Sequence, residues 1–380
     1  MKKRLMGTAA VTLSIMLLWG CTGSTDSSNT VNTTDTESTQ DASSDNDNAV
    51  GALLSDEATR LTEDLELPVE GFGFNITTDI KANEPYKIGL IIKNTTNPYM
   101  LLQADGAAKA AEDMGFEISV QAPAQADSAE EQLSIMDSMV QGGTEAFVVH
   151  VVDSKGIVPA VNRAIDKGIP IAAVGTAPET DIFLRTGADY YPSGKAVAEK
   201  LFEMAGGTGG LVILEGTAGA QNAEERKQGI MDVLENYPDI ELLASQPANF
   251  NRVQGMQVME NILQREGIRE ELTMVIGCNS EMAMGALQAI KAAGLQNQVM
   301  VASFDCFRDD ATAVQNGEMA VTYNMDPYSA TYLACAYLVQ YLNDGTEPPY
   351  PVIPFPAERD DPLITGENID DFMENRIFWE

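Results

Sequence analysis

Apolar residues along this chain fall into short unbroken runs separated by stretches of helical spacing, and the alternation begins at Tyr86. Lys87-Ile88-Gly89-Leu90-Ile91-Ile92 is a run of strand length. Asn97-Pro98 then supplies a cap and a first-turn proline, and the Ala-rich spacing over 99–114 predicts a helix ending at Gly115. The pattern continues with a strand at 117–121, a helix at 128–140, a strand at 146–152, a helix at 157–167 and a strand at 170–174. Beyond Asp189 it resumes with helices at 194–204, 223–236, 253–264 and 281–293, and strands at 211–214, 240–244, 273–277 and 299–304. A long helix over 328–342 and a proline-rich segment at 348–356 close the series. Strands that are apolar throughout, each set between helices, predict parallel sheets covered on both faces. The spacing gives two βα blocks, 86–188 and 189–325, related by pattern and not by sequence repeat.

The N-terminus obeys a different rule. Lys2, Lys3 and Arg4 precede an apolar run over 5–18, too short to span a bilayer comfortably. Leu18-Trp19-Gly20-Cys21 resembles a bacterial lipobox, with Trp19 departing from the usual small residue. The resemblance implies lipidation of Cys21, removal of the peptide before it, and a membrane anchor outside the cytoplasm. Residues 22–50 are Thr, Ser, Asn and Asp with almost nothing apolar, which cannot form a core. Residues 22–84 are read as a flexible tether, in which Leu53, Leu54, Leu61, Leu65 and Leu67 have the spacing of a short amphipathic helix.

Charge narrows the function classes. With 57 acidic and 23 basic residues the net charge is -34, which argues against nucleic acid and against anionic lipid as a partner. A single histidine, His150, excludes any multi-histidine metal site. Cys278, Cys306 and Cys335 have no metal-ligand spacing; they read as buried thiols, with a Cys278–Cys306 disulfide as the alternative. No sequence feature calls for a cofactor. The first βα turn, Lys93 to Pro98, contains no glycine and so is not a dinucleotide fingerprint.

In open parallel sheets ligands bind beyond the carboxyl ends of the strands. The residues there include Lys93 to Met100, Gly175-Thr176, Gly216 to Gln221 with Arg226 beyond, Gln246 to Phe250, Cys278 to Glu281, Asp305 and Met325. Asp and Asn exchange hydrogen bonds with vicinal hydroxyls, Arg offers a planar fork, and Phe and Tyr suit the C–H face of a sugar ring. Each has a plainer role too: Asn97 as a helix cap, Phe250 as core, Asp305 as a loop cap.

Several stretches carry a family resemblance: Asn97-Pro98-Tyr99; Gly216-Thr217-Ala218-Gly219 with Glu225-Arg226; Ala244 to Phe250; Asn279 to Ala286; and Ser303-Phe304-Asp305. From Lys87 to about Asn343 the chain resembles the ribose-binding branch of the type I periplasmic binding proteins, partners of ABC importers. The resemblance implies two Rossmann-like lobes joined by a three-segment hinge near Ala188–Asp189, Met325–Asp326 and Pro348–Pro354. It implies a first lobe of 85–188 plus 326–347 and a second of 189–325 plus 348–380. Sugar contacts carried over by position fall on Asn97, Tyr99, Arg226, Phe250, Asn279 and Asp305. Four wall positions depart from the ribose pattern: Lys93, Met100, Gly175-Thr176 in place of an Asp-Arg pair, and Met325. Lys93 is either a solvent-facing loop residue or a cation for a carboxylate or phosphate. The function implied is that of a monomeric, non-enzymatic binding protein delivering a small sugar or polyol to a permease. A ligand-presenting sensor is the alternative.

Overall fold

The computed structural model describes residues 66–71, 73–187, 189–353 and 362–375. Cys21, the signal-like segment and the tether up to residue 65 lie outside these, as do Ala188 and Pro354 of the expected hinge.

Two six-stranded sheets form the frame. The first contains β1 (Lys87–Ile91), β2 (Glu117–Gln121), β3 (Ala146–Val149), β4 (Ile171–Val174), β5 (Leu184–Thr186) and β11 (Val352–Ile353), in the order β11-β5-β4-β3-β1-β2. The second contains β6 (Gly209–Glu215), β7 (Ile240–Pro247), β8 (Leu272–Gly277), β9 (Met300–Asp305), β10 (Val321–Asn324) and β12 (Leu363–Thr365), in the order β12-β10-β9-β8-β6-β7. All pairings are parallel except β10 with β12. The central strands β3, β4 and β8 are buried almost throughout, as their unbroken apolar runs require.

Helices cover both sheets. They are α1 (Pro98–Met114), α2 (Ala129–Gln141) and α3 (Val158–Ile165) beside the first sheet. The second block carries α4 (Tyr190–Met204), α5 (Gln221–Leu234), α6 (Arg252–Ile262), the short α7 (Ile268–Glu271), α8 (Ser280–Ala292) and α9 (Arg308–Gln315). Then come α10 (Pro327–Asp344) and α11 (Ile369–Asn375). Side-chain caps start several of them: Asn97 Oδ1 accepts from Tyr99 N on α1, Asp189 from Tyr191 N on α4, and Asn279 from Met282 N on α8. Helix α10 is buried from Pro327 to Val339 and packs between α1 and strands of the first sheet.

The chain passes between sheets after β5, after β10, and between β11 and β12. The last crossing differs from the expected boundary. Val352 and Ile353 pair with Arg185 and Thr186 of β5, so this part of 348–380 belongs to the first sheet, and only β12 and helix α11 join the second. The reason is that β5 would otherwise be an edge strand with open hydrogen bonds. The tether also ends earlier than residue 84. Val69 and Ile76 are buried, Glu70 bridges Thr77, Gly73 N donates to Ser329 Oγ at 2.6 Å, and Phe74 stacks edge-on against Tyr328 at 4.7 Å. The turn Gly73–Asn75 is thereby held against α10, while Val69 and Ile76 enter the core.

Cys278, Cys306 and Cys335 are buried thiols, and no disulfide joins Cys278 to Cys306.

Candidate functional site

The carboxyl ends of both sheets face one cleft of about 560 Å³. It is lined from the first lobe by Lys93, Asn94, Asn97, Tyr99, Met100 and His150, and from the second by Tyr190, Arg226, Phe250, Asn279 and Asp305 among others.

The second-lobe wall is built around Arg226 on α5, which is 2 % exposed. Its guanidinium lies between two rings, 4.6 Å from the Phe304 centroid and 5.1 Å from that of Tyr190. Nη1 donates to Cys278 O at 2.6 Å, and Nη2 meets Asp305 Oδ1 at 3.3 Å. Asp305 Oδ2 accepts from Ser280 N at 3.3 Å. Burial pushes the Asp305 carboxyl above the usual carboxylate range, against the pull of Arg226. Asn279 spends its Oδ1 on the α8 cap, which aims its amide nitrogen elsewhere. Arg226 Nε and Asn279 Nδ2 are buried donors with no partner. A protein rarely leaves such groups unsatisfied without a ligand or solvent to meet them.

Backbone strain gathers at the same wall. Asn249, Phe250, Asp305 and Cys306 all have positive φ, between 54° and 85°. The strained turn at Phe250 swings its ring over Gly216, where an added Cβ would lie 2.1 Å from Cζ. Glycine at 216 is thus what lets the aromatic face reach the cleft. At the rim Arg252 donates to Glu281 at 2.6 Å and to Asp309 at 2.8 Å, tying the start of α6 to α8 and α9.

The first-lobe wall is different in kind. Lys93 is buried, and its Nζ donates to Thr176 Oγ1 at 3.1 Å. Unlike Arg226 and Arg252 it has no carboxylate within ion-pair reach among the described residues. Burial lowers its ammonium to about 8; nearby Asp127 opposes that shift and Arg226 adds to it. His150 sits beside it with its ring edge-on to Tyr99 at 5.7 Å. Burial, then Lys93 and Arg226, hold its imidazole well below the usual histidine range, so it is neutral. Burial raises the Tyr99 hydroxyl well above the ordinary tyrosine value, with Tyr190 and Asp305 adding to it from the opposite lobe.

The periplasmic binding protein domain family matches residues 88–347. The chain belongs to that family. Among its relatives is the ribose import binding protein RbsB of Haemophilus influenzae, 32% identical over 67% of this chain and 84% of the relative. A xylitol-binding protein of Mycolicibacterium smegmatis is 32% identical over 65% of this chain and 68% of its own. Among solved structures, an ABC transporter periplasmic solute binding protein from Actinobacillus succinogenes with bound D-allose superposes with a TM-score of 0.70. It is 27% identical and covers 75% of this chain and 99% of its own. This periplasmic binding protein therefore shares the two-lobed fold of a family whose members here include binding proteins for ribose, xylitol and D-allose.

In it, Lys93, Asn97, Tyr99, Met100, Arg226, Phe250, Asn279 and Asp305 come together on one cleft. Thr176 and Met325 do not line it. Thr176 is fully buried behind Lys93 and acts through that amine. Met325 is fully buried in the hydrophobic core, where a thioether with no strong hydrogen bond to make is better placed than on a polar wall. His150, Tyr190 and Asn222 line the cleft without having been singled out as ligand contacts. His150 is hidden in the sequence because the apolar run 146–152 reads as one strand. The sheet stops at Val149, which turns His150 into a residue just past a strand end.

Proposed function

We propose that this chain is an extracytoplasmic binding protein, anchored through lipid on Cys21, that closes two lobes on a small sugar or polyol and presents it to an ABC permease. The observation that carries the ligand class is the set of buried, partnerless polar atoms on the cleft: Arg226 Nε and Asn279 Nδ2 from the second lobe, His150 Nε2 from the first. Flanking them are the flat faces of Phe250 and Tyr99, the complement of a ring with hydroxyls on its edge. Volume agrees, since about 560 Å³ suits a monosaccharide with its waters. Ligand contact with both lobes stabilises the closed arrangement by differential binding.

The test is a thermal-shift and calorimetric screen of the protein lacking residues 1–21 against pentoses, hexoses, polyols and sugar acids. Sugar acids belong in it because Lys93 has no carboxylate partner among the described residues. At least one probe raises the midpoint and binds with a stoichiometry of one. Arg226→Ala abolishes that shift, because it removes the fork and leaves Asp305 buried without its ion-pair partner. If no probe in the panel binds, the carbohydrate reading fails.

A further inference from the structure

His150 carries more information than its position. It is the sole histidine of the chain and is 2 % exposed. Its main chain is fixed on both sides: His150 N donates to Ile91 O at 2.9 Å, and His150 O accepts from Gln132 Nε2 at 2.8 Å. Its ring nitrogens are equally constrained. Gln103, fully buried on α1, donates through Nε2 to Val174 O at 3.0 Å. That bond fixes the amide orientation, so it is Gln103 Oε1 that lies 3.1 Å from His150 Nδ1. An amide oxygen only accepts, so Nδ1 carries the ring proton. Nε2 is then a bare lone pair, buried and without a partner.

Space for the ring comes from Gly175. At φ 91° it holds a left-handed backbone, and an added Cβ would lie 2.6 Å from His150 Cε1. Any larger residue there displaces the imidazole. The neighbouring Thr176 braces Lys93, so two consecutive residues past β4 support two side chains that reach the cleft from β3 and β1.

We infer that His150 is a specificity-determining ligand contact: held in its Nδ1–H form by Gln103, it accepts a hydrogen bond through Nε2 from a hydroxyl of the bound sugar or polyol, while Lys93 beside it donates to a neighbouring oxygen. Ligands that place a C–H group or a hydroxyl-free carbon at that point are rejected, because they leave a buried acceptor unmet. The inference rests on the sugar or polyol reading of the cleft and extends it to the chemistry of one ligand position.

Because the chain has one histidine, a nitrogen-15 imidazole spectrum shows a single pair of resonances, which belong to residue 150. In the unliganded full-length mature protein, Nδ1 is expected as the protonated nitrogen and Nε2 as the pyridine-type nitrogen. Adding D-ribose, D-allose or xylitol, whichever binds, shifts the Nε2 resonance in the direction of an accepted hydrogen bond. His150→Phe keeps the ring volume and loses roughly tenfold or more of the affinity for that probe. Its unliganded thermal midpoint falls because Gln103 Oε1 loses its donor, and circular dichroism showing the variant fully folded at the titration temperature separates contact from folding. Gly175→Ala gives the same loss by moving the ring. An Nε2–H tautomer, or a bound probe that leaves Nε2 unmoved and His150→Phe unimpaired, overturns the inference while the sugar reading stands. Absence of binding by every probe overturns both.

Discussion

Lys93 shows how one residue can weaken the fold in order to serve a site. Its ammonium is buried, braced by one neutral hydroxyl, and lowered to about 8 by loss of water. Burying an ammonium without a charged partner costs free energy that an apolar side chain of similar length does not. Lys93→Met is therefore expected to raise the unliganded thermal midpoint and to weaken binding of whichever probe the parent recognises. Calorimetry and titration of the same preparations check both halves; a lower midpoint would show that the Thr176 bond outweighs the desolvation. At this scale the sequence was partly legible. Residue type and position past a strand end pick out Asn279 and Asp305, while Arg226, a turn or more into α5, comes from the family resemblance; all three line the cleft. The same rule misplaces Met325, because a residue at a lobe crossing can turn into the core. It passes over His150, because an apolar run does not reveal where its hydrogen-bonded ladder stops. Nothing in the sequence fixes the tautomer of that ring, which depends on a glutamine 47 positions away.

Among elements, the placement of Arg226 depends on how closely two helices approach. A Cβ at Gly194 on α4 would lie 2.4 Å from the carbonyl oxygen of Arg226 on α5, and one at Gly229 would lie 2.3 Å from Tyr191 O. The two helices meet backbone to backbone at these glycines. Gly194→Ala forces them apart, at about 1–3 kcal/mol for overpacking, and carries Arg226 away from Asp305. Both the thermal midpoint and ligand affinity are expected to fall; unchanged affinity with a lowered midpoint would mean that the Arg226 side chain absorbs the shift. The expected helices and central strands lie within a few residues of where periodicity and caps put them, but the eight-residue α9 was not expected. The short pieces were not. Two-residue β11 and three-residue β12 owe their conformation to neighbours already in place, and the hydrophobic pattern over two or three residues has no period to read.

For the whole molecule, acidity and burial act together. Burial raises Asp189, Glu225 and Asp305 above the usual carboxylate range, and takes Asp310 to about 8. Unfolded, each titrates near ~4. The folded protein thus holds protons that the unfolded chain has released, so stability is full below about pH 4 for these groups and declines as pH rises toward 8. Repulsion within a chain of net charge -34 at pH 7 acts in the same direction. Lys93 has the opposite sign, with stability recovering only above about pH 8. The thermal midpoint is expected to be higher at pH 5 than at pH 8; a rise over that interval would place these carboxyls in water or in ion pairs.

The three crossings between sheets also set an order in time. The strands β6 to β10 and helices α4 to α9 form one continuous stretch, 190–324, which can assemble from local contacts. The first sheet cannot be completed that way. It lacks β11 and the buried helix α10 until residues 327–353 arrive, more than two hundred positions after β1. Contacts at such separation slow folding. A chain emerging from its N-terminus therefore keeps its first half incomplete until residues 327–353 are out, which makes loss of those residues most damaging to the half made first.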